Sequence, residues 1–221
     1  AKKATLLYIN YPNNPTGSGA PREFFEKTLS FALANDITIV FDSAYEEIYF
    51  GEPPHSFFEW PEAKKCVLEF HSLSKMFNIT GWRLAFACGN AELLKPLKVM
   101  KTNMDSGQFK PVQLAGAWAL DELVDDFGAS QRKTYMERMT KLKGALESLG
   151  AKAPVPAGTF FLWGKTPDGM GSEAFTEHLL ERYGIFVTPG NMFGPEGEGY
   201  FRASLTVTDE RLHEAVQRIK G

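Results

Sequence analysis

The chain has 221 residues, 43% of them hydrophobic, with 24 basic and 27 acidic side chains and a formal net charge of −3. That composition suits a globular protein with a sizeable core, built as one domain or as a large one with a small one. It carries no basic footprint of a nucleic-acid binder and no apolar stretch near the roughly eighteen residues of a membrane span.

Cys66 and Cys88 lie in different apolar runs without C-x-x-C spacing. They are too few to staple a secreted domain, and they read as free thiols in a reducing cytoplasm. The opening AKKATLLYIN holds two lysines but no signal-peptide pattern, and it enters an apolar run almost at once, as a piece of a longer protein would.

ATLLYIN predicts a buried strand that feeds the turn-rich loop YPNNPTGSGAP. PREFFEKTLSFALAND then has apolar residues at helical spacing, with Pro21 at a favourable first-turn position. ITIVFDSAY, KCVLEFHS and WRLAFACGN are three more strand-like runs, and their alternation with helical patterns predicts an α/β sheet covered on both faces. From Ala91 to about Gly150 the pattern is helical, in ELLKPLKVMKTNM, PVQLAGAWALDELV and SQRKTYMERMTKLKGALESLG. The last of these is long enough to link two lobes. There follow a strand in GTFFLWG, a helix in SEAFTEHLLERYG, a short strand in IFVTP and the glycine-rich loop GNMFGPEGEGY. A strand in YFRASL and a capped helix in TDERLHEAVQRIKG end the chain. Residues 1–125 are expected to belong to a larger domain and residues 126–221 to a smaller α+β domain.

Ligands of open α/β sheets bind outside the carboxyl ends of the strands. Three predicted strand ends carry polar residues there: Asn14 in NNPTG, Asp42 and Tyr45 in FDSAY, and Lys75 in HSLSKMFNITGWR, which also holds Ser72, Ser74 and Arg83. Singly, each has an ordinary structural explanation, as turn chemistry, helix cap, half-buried aromatic or solvated charge. Together they suit pyridoxal 5′-phosphate. A lysine captures its aldehyde, and a carboxylate keeps its ring nitrogen protonated. An amide and a phenol serve its ring oxygen, while a hydroxyl and a guanidinium hold its phosphate.

NNPTG, DSAY, SLSK and GWR, in this order, resemble the motif series of fold-type-I aminotransferases of classes I and II. The resemblance implies Lys75 as the Schiff-base lysine and catalytic base, Asp42 as the pyridinium partner, and Asn14 and Tyr45 as ring-oxygen contacts. It implies Ser72 and Arg83, with Ser74, as phosphate ligands. YFRASL resembles the motif of the arginine that clamps the substrate's α-carboxylate, here Arg202, with Asn14 beside the substrate. The implied fold is part of a PLP-transferase large domain, a mostly parallel sheet with helices on both faces, plus a smaller C-terminal α+β domain. The implied substrates are an amino acid and a 2-oxo acid, and the implied assembly is a homodimer, with Ser106 and Gly107 of TNMDSG as candidate contacts.

FNITGWR, KTNMDSGQF and GTFFLWG resemble the branch that contains LL-diaminopimelate, N-succinyl-diaminopimelate and aspartate aminotransferases. The family's first half, with its phosphate-cradling helix, ring-stacking aromatic and partner-reaching tyrosine, has no counterpart before Ala4, so the 221-residue chain alone is expected to be poorly active. Two other readings keep these residues: another fold-type-I enzyme such as a C–S lyase, and the aminotransferase-like sensor of a transcription regulator. A dinucleotide-binding Rossmann domain is set aside, because GNMFGPEGEG follows no strand–helix unit of the required spacing.

Overall fold

Of the two parallel crossovers that join the short β-branched and aromatic runs, the first is closed by an α-helix and the second by two 3-10 turns, Phe57–Glu59 and Pro61–Lys65. The structure, a computed structural model, describes residues 4–221. Strands β1 (Leu6–Asn10), β2 (Thr38–Asp42) and β3 (Val67–Ser72) run parallel, and β4 (Ala85–Gly89) pairs antiparallel with β3, in the order β1-β2-β3-β4. Helix α1 (Arg22–Asn35) makes the crossover from β1 to β2. Pro21 precedes its first turn, and Asp36 ends it in the left-handed conformation.

Alternation along the strands sends Ile9, Ile39, Phe41 and Val67 to one face, where all are buried with Phe25, Leu29 and Ala32 of α1. Phe25 is the centre of that core. Its ring meets Phe41 edge-on at 5.6 Å and Phe57 at 4.8 Å, distances at which aromatic pairs add to simple burial. On the opposite face Leu6 and Tyr8 are 56% and 61% exposed.

The run WRLAFACGN becomes a strand only from Ala85. Thr80–Trp82 form a 3-10 turn, and Arg83 is left-handed at φ 54°. A short helix α2 (Leu73–Met76) follows β3 directly. Its Leu73 and Met76, with Phe77, form a second apolar cluster against Leu84, Ala119, Leu120 and Val124. Gly116 lets this packing happen, since a Cβ there would stand 2.2 Å from a Leu84 methyl.

Three helices follow: α3 (Ala91–Met104), capped by Asn90, then α4 (Lys110–Glu122) and α5 (Val124–Ser148). The sequence marks all three, but their apolar side chains are not all buried; Met100, Met104, Phe109, Leu114 and Trp118 are exposed. Ser106 and Gly107 lie in the exposed connection between α3 and α4.

The chain forms two compact units, one of residues up to Pro12 with Gly19–Ala129, the other of Asn13–Ser18 with Ser130–Gly221. The division between the units thus falls inside α5. The loop Asn13–Ser18 belongs to the second unit, where Gly158 donates its N–H to the Gly17 carbonyl at 3.0 Å. In this unit β5 (Phe161–Lys165), β7 (Tyr200–Ser204) and β6 (Thr188–Pro189) form an antiparallel sheet in that order, with α6 (Ser172–Tyr183) and α7 (Asp209–Lys220). IFVTP pairs over two residues only, and Pro189 lacks the N–H that would extend the ladder.

Met139, Leu146, Leu162, Phe175, Leu179, Phe201 and Leu205 are fully buried in the second unit. Arg138 ties α5 to α7 through Asp209 Oδ1 at 2.7 Å and to the Leu205 carbonyl at 3.0 Å. Among the described residues no helix is long and apolar enough to cross a membrane.

Removing the Phe25 ring opens a cavity beneath β1 and β2. Phe25→Ala is expected to cost about 3–5 kcal/mol of stability, measured by urea denaturation. A loss below about 1 kcal/mol would place the core elsewhere.

Candidate active site

Asp42 ends β2 and Ser72 ends β3, and the register pair Asp42↔Phe70, two residues before Ser72, sets them on one face of the sheet. Tyr8, Asp42, Ala44, His71, Ser72 and Ala85 are among the residues that line a concavity of about 310 Å³ at these strand ends. Both oxygens of Asp42 accept hydrogen bonds, Oδ2 from the Tyr8 hydroxyl at 2.8 Å and Oδ1 from the Ala44 N–H at 3.2 Å. The Asn10 amide also donates to the Asp42 carbonyl at 2.9 Å. These bonds fix the plane of the carboxylate. Burial, together with its bond to Asp42, pushes the Tyr8 phenol up to about 12, so Tyr8 donates at every physiological pH.

Tyr8 was not singled out from the sequence. Its signal is positional: it stands two residues before Asn10 on an adjacent strand, diagonal to Asp42 on the same face, where a long side chain reaches.

Tyr45 is 7% exposed, in the turn that follows β2. The connection from β3 to β4 carries the other first-unit candidates. Ser72 stands at the cap position of α2 without using its side chain as a cap. Lys75 is half-buried in α2, and Ser74 is 4% exposed, with its carbonyl accepting from Thr80 Oγ1 at 3.3 Å. Arg83 is exposed and donates through Nη1 to the Thr80 carbonyl at 2.9 Å. Its left-handed backbone is uncommon for a side chain of this size and clusters at functional sites.

Asn14 and Arg202 lie in the second unit. Arg202, half-buried on β7, donates through Nη1 to Asn14 Oδ1 at 2.8 Å. Its guanidinium lies over the Phe161 ring at 4.2 Å and the Phe193 ring at 4.6 Å from their centroids. Two ring faces hold the guanidinium plane and screen it from water. The loop that carries Asn14 contains cis peptides at Tyr11–Pro12 and Asn14–Pro15.

A polar cluster absent from the sequence reading lies on the other face of β3. His71 Nδ1 meets Glu46 Oε1 at 2.6 Å, and its Nε2 faces Glu69 Oε2 at 3.4 Å and Cys88 Sγ at 3.6 Å. Burial pulls the imidazole pKa down, but the bonds to Glu46 and Glu69 outweigh it and raise it to about 10. Glu69 is 1% exposed, and it accepts from Ser56 Oγ at 2.9 Å and from the Phe57 N–H at 2.6 Å.

The family model described as aminotransferase class I and II matches residues 1–219. LL-diaminopimelate aminotransferases of Halothermothrix orenii and Aquifex aeolicus are 47% and 48% identical to this chain over 222 residues each. Each match covers 100% of this chain and 57% of the relative. A solved structure described as a probable N-succinyldiaminopimelate aminotransferase from Thermus thermophilus superposes with a TM-score of 0.87 at 37% identity. That match covers 98% of this chain and 58% of the other. The chain therefore spans a little over half the length of the relatives it matches. An α/β sheet with Asp42 and Ser72 at its strand ends, Lys75 and Arg83 in the connection that follows, and a family match over nearly every residue lead to one assignment: this chain belongs to the class I and II aminotransferases.

Proposed function

We propose that a protein carrying this chain at the length of its relatives is a pyridoxal-phosphate-dependent aminotransferase. It moves an amino group from an amino acid, with LL-diaminopimelate as the favoured donor, to a 2-oxo acid, and it works as a cytoplasmic homodimer. The donor is suggested by the names of relatives at 47% and 48% identity. Residues 1–125 are read as the C-terminal part of the cofactor-binding large domain and residues 126–221 as the small domain. The observation that carries the proposal is the fixed carboxylate of Asp42 on the same sheet face as Ser72, with Lys75 three residues beyond.

The donor set fits the cofactor. Asp42, held in plane by Tyr8 and Ala44, would hold the ring nitrogen and keep a proton on it. The Ser72 hydroxyl is not engaged as a helix cap, and with Ser74 and the exposed Arg83 it supplies a hydroxyl and a guanidinium for the phosphate. The Tyr45 phenol and the Asn14 amide serve the ring oxygen; with Asn14 Oδ1 engaged by Arg202, the other end of that amide is a donor. When bound, pyridoxal phosphate supplies the electron sink that accepts the charge left at the substrate's Cα.

Arg202 binds the substrate's α-carboxylate with its forked N–H groups. Asn14 and the faces of Phe161 and Phe193 hold that fork in one orientation, which aligns the Cα–H bond before reaction. Lys75 Nζ takes the proton from Cα and later returns a proton as general acid.

Borohydride reduction of the cofactor-treated protein, followed by peptide mapping, is expected to place a pyridoxyl group on Lys75. An unmodified Lys75 in the full-length protein would sink the assignment. Lys75→Ala is expected to lower kcat on the order of 10²–10⁴-fold or more with unchanged circular dichroism; near-normal turnover would remove Lys75 as the base. Arg202→Lys loses the fork but keeps the charge, and kcat/KM is expected to fall roughly 10- to 100-fold, mostly through KM of amino acid and oxo acid together. An unchanged KM for both would place the carboxylate elsewhere.

A further inference from the structure

The face of β3 opposite Ser72 carries a second set of chemically competent side chains. Register creates it. Glu69 and His71 alternate onto the same face of β3, and Cys88 is the cross-strand partner of Glu69 on β4. Among the described residues, Glu69, His71 and Cys88 each offer one donor atom, and these atoms lie within 4.8 Å of one another.

Bond lengths to zinc of about 2.0–2.1 Å for nitrogen, 2.0–2.2 Å for oxygen and 2.3 Å for sulfur, at tetrahedral angles, set donor atoms about 3.3–3.6 Å apart. His71 Nε2 stands 3.4 Å from Glu69 Oε2 and 3.6 Å from Cys88 Sγ. We propose that Glu69 Oε2, His71 Nε2 and Cys88 Sγ form a binding site for a borderline divalent cation such as Zn²⁺, with the fourth position left to water.

The surrounding contacts are those a metal site needs. Ligating histidines commonly donate their other ring N–H to a carboxylate, which fixes the tautomer and strengthens the ligand. Glu46 holds that position, with Oε1 at 2.6 Å from His71 Nδ1. The ligating carboxylate is itself oriented, since Glu69 Oε1 takes the Phe57 N–H at 2.6 Å and the Ser56 hydroxyl lies 2.9 Å from Oε1 and 3.0 Å from Oε2. Phe86 stacks on the imidazole at 4.7 Å and fixes its plane.

A metal takes cysteine as thiolate and histidine through an unprotonated ring nitrogen, so uptake at this site releases protons and weakens as pH falls. The bound ion would clamp β3 to β4 one residue before Ser72.

The test is titration of the chelator-treated protein with Co²⁺, which reports thiolate ligation as a near-ultraviolet charge-transfer band. The expected result is a saturable band at one equivalent, displaced by Zn²⁺, lost in Cys88→Ser and kept in Cys66→Ser. Glu46→Gln, which keeps the ligands but weakens the imidazole, is expected to lower affinity about 10- to 100-fold. X-ray absorption of the zinc-loaded wild-type protein should show one sulfur among light-atom ligands, a reading that needs no variant to fold. No cobalt band at hundredfold excess, a band that survives Cys88→Ser, or a shell without sulfur would overturn the site.

Discussion

The register between β2, β3 and β4 is the constraint on which the rest of the first unit depends. Phe41 faces Glu69 and Asp42 faces Phe70 across the parallel ladder, while Glu69 faces Cys88 and Ser72 faces Ala85 across the antiparallel one. Because strand side chains alternate, this pairing assigns every residue of β3 to a face. Ser72 joins Asp42 and Tyr8 above the sheet, whereas Glu69 and His71 turn to the face that buries Ile39 and Phe41. A slip of one residue would bury Asp42 against Phe25 and expose the aromatic core. The apolar face therefore enforces the geometry of the polar one.

The same reasoning explains what could be read from the chain. The strand-end positions of Asp42 and Ser72, and the connection that carries Lys75 and Arg83, are legible because short motifs mark them and local spacing carries the information. The helices of residues 91–148 are legible from their period, but the exposure of Met104, Phe109 and Trp118 is not, because period marks an apolar stripe without saying what covers it. Tyr8 and the Glu46–Glu69–His71–Cys88 cluster needed register, which couples residues 17 to 34 positions apart. The allegiance of Asn13–Ser18 to the second unit rests on Gly17–Gly158 and Asn14–Arg202 bonds, and no composition shift announces such long-range contacts.

Two arginines of the second unit show how environment assigns a role. Arg138 closes on Asp209 and the Leu205 carbonyl, and its charge is matched inside the fold, where it ties α5 to α7. The bond also holds the Asp209 carboxyl below the usual carboxylate range. Arg202 instead faces the neutral Oδ1 of Asn14 and two phenyl faces. Ring faces attract a guanidinium without neutralising it. A planar cation so held loses the rotamer freedom that would otherwise oppose binding of the carboxylate proposed for it.

Lys75 is placed by a comparable economy of contacts. Its helix is a single turn, too short to hold itself together, and its flanks hold it instead. Leu73 and Met76 on either side are 2% and 5% exposed in the apolar cluster, and the Leu73 N–H reaches the Leu84 carbonyl at 3.2 Å. The left-handed backbone of Arg83, a strain of about 1–3 kcal/mol, sits next to Leu84, so the packing that anchors α2 also opposes relaxation of Arg83. The amine and the guanidinium are thus carried by one closed connection between paired strands. Two cations proposed to meet a single phosphorylated ligand gain from this kind of shared frame, because independent motion of either would weaken both contacts.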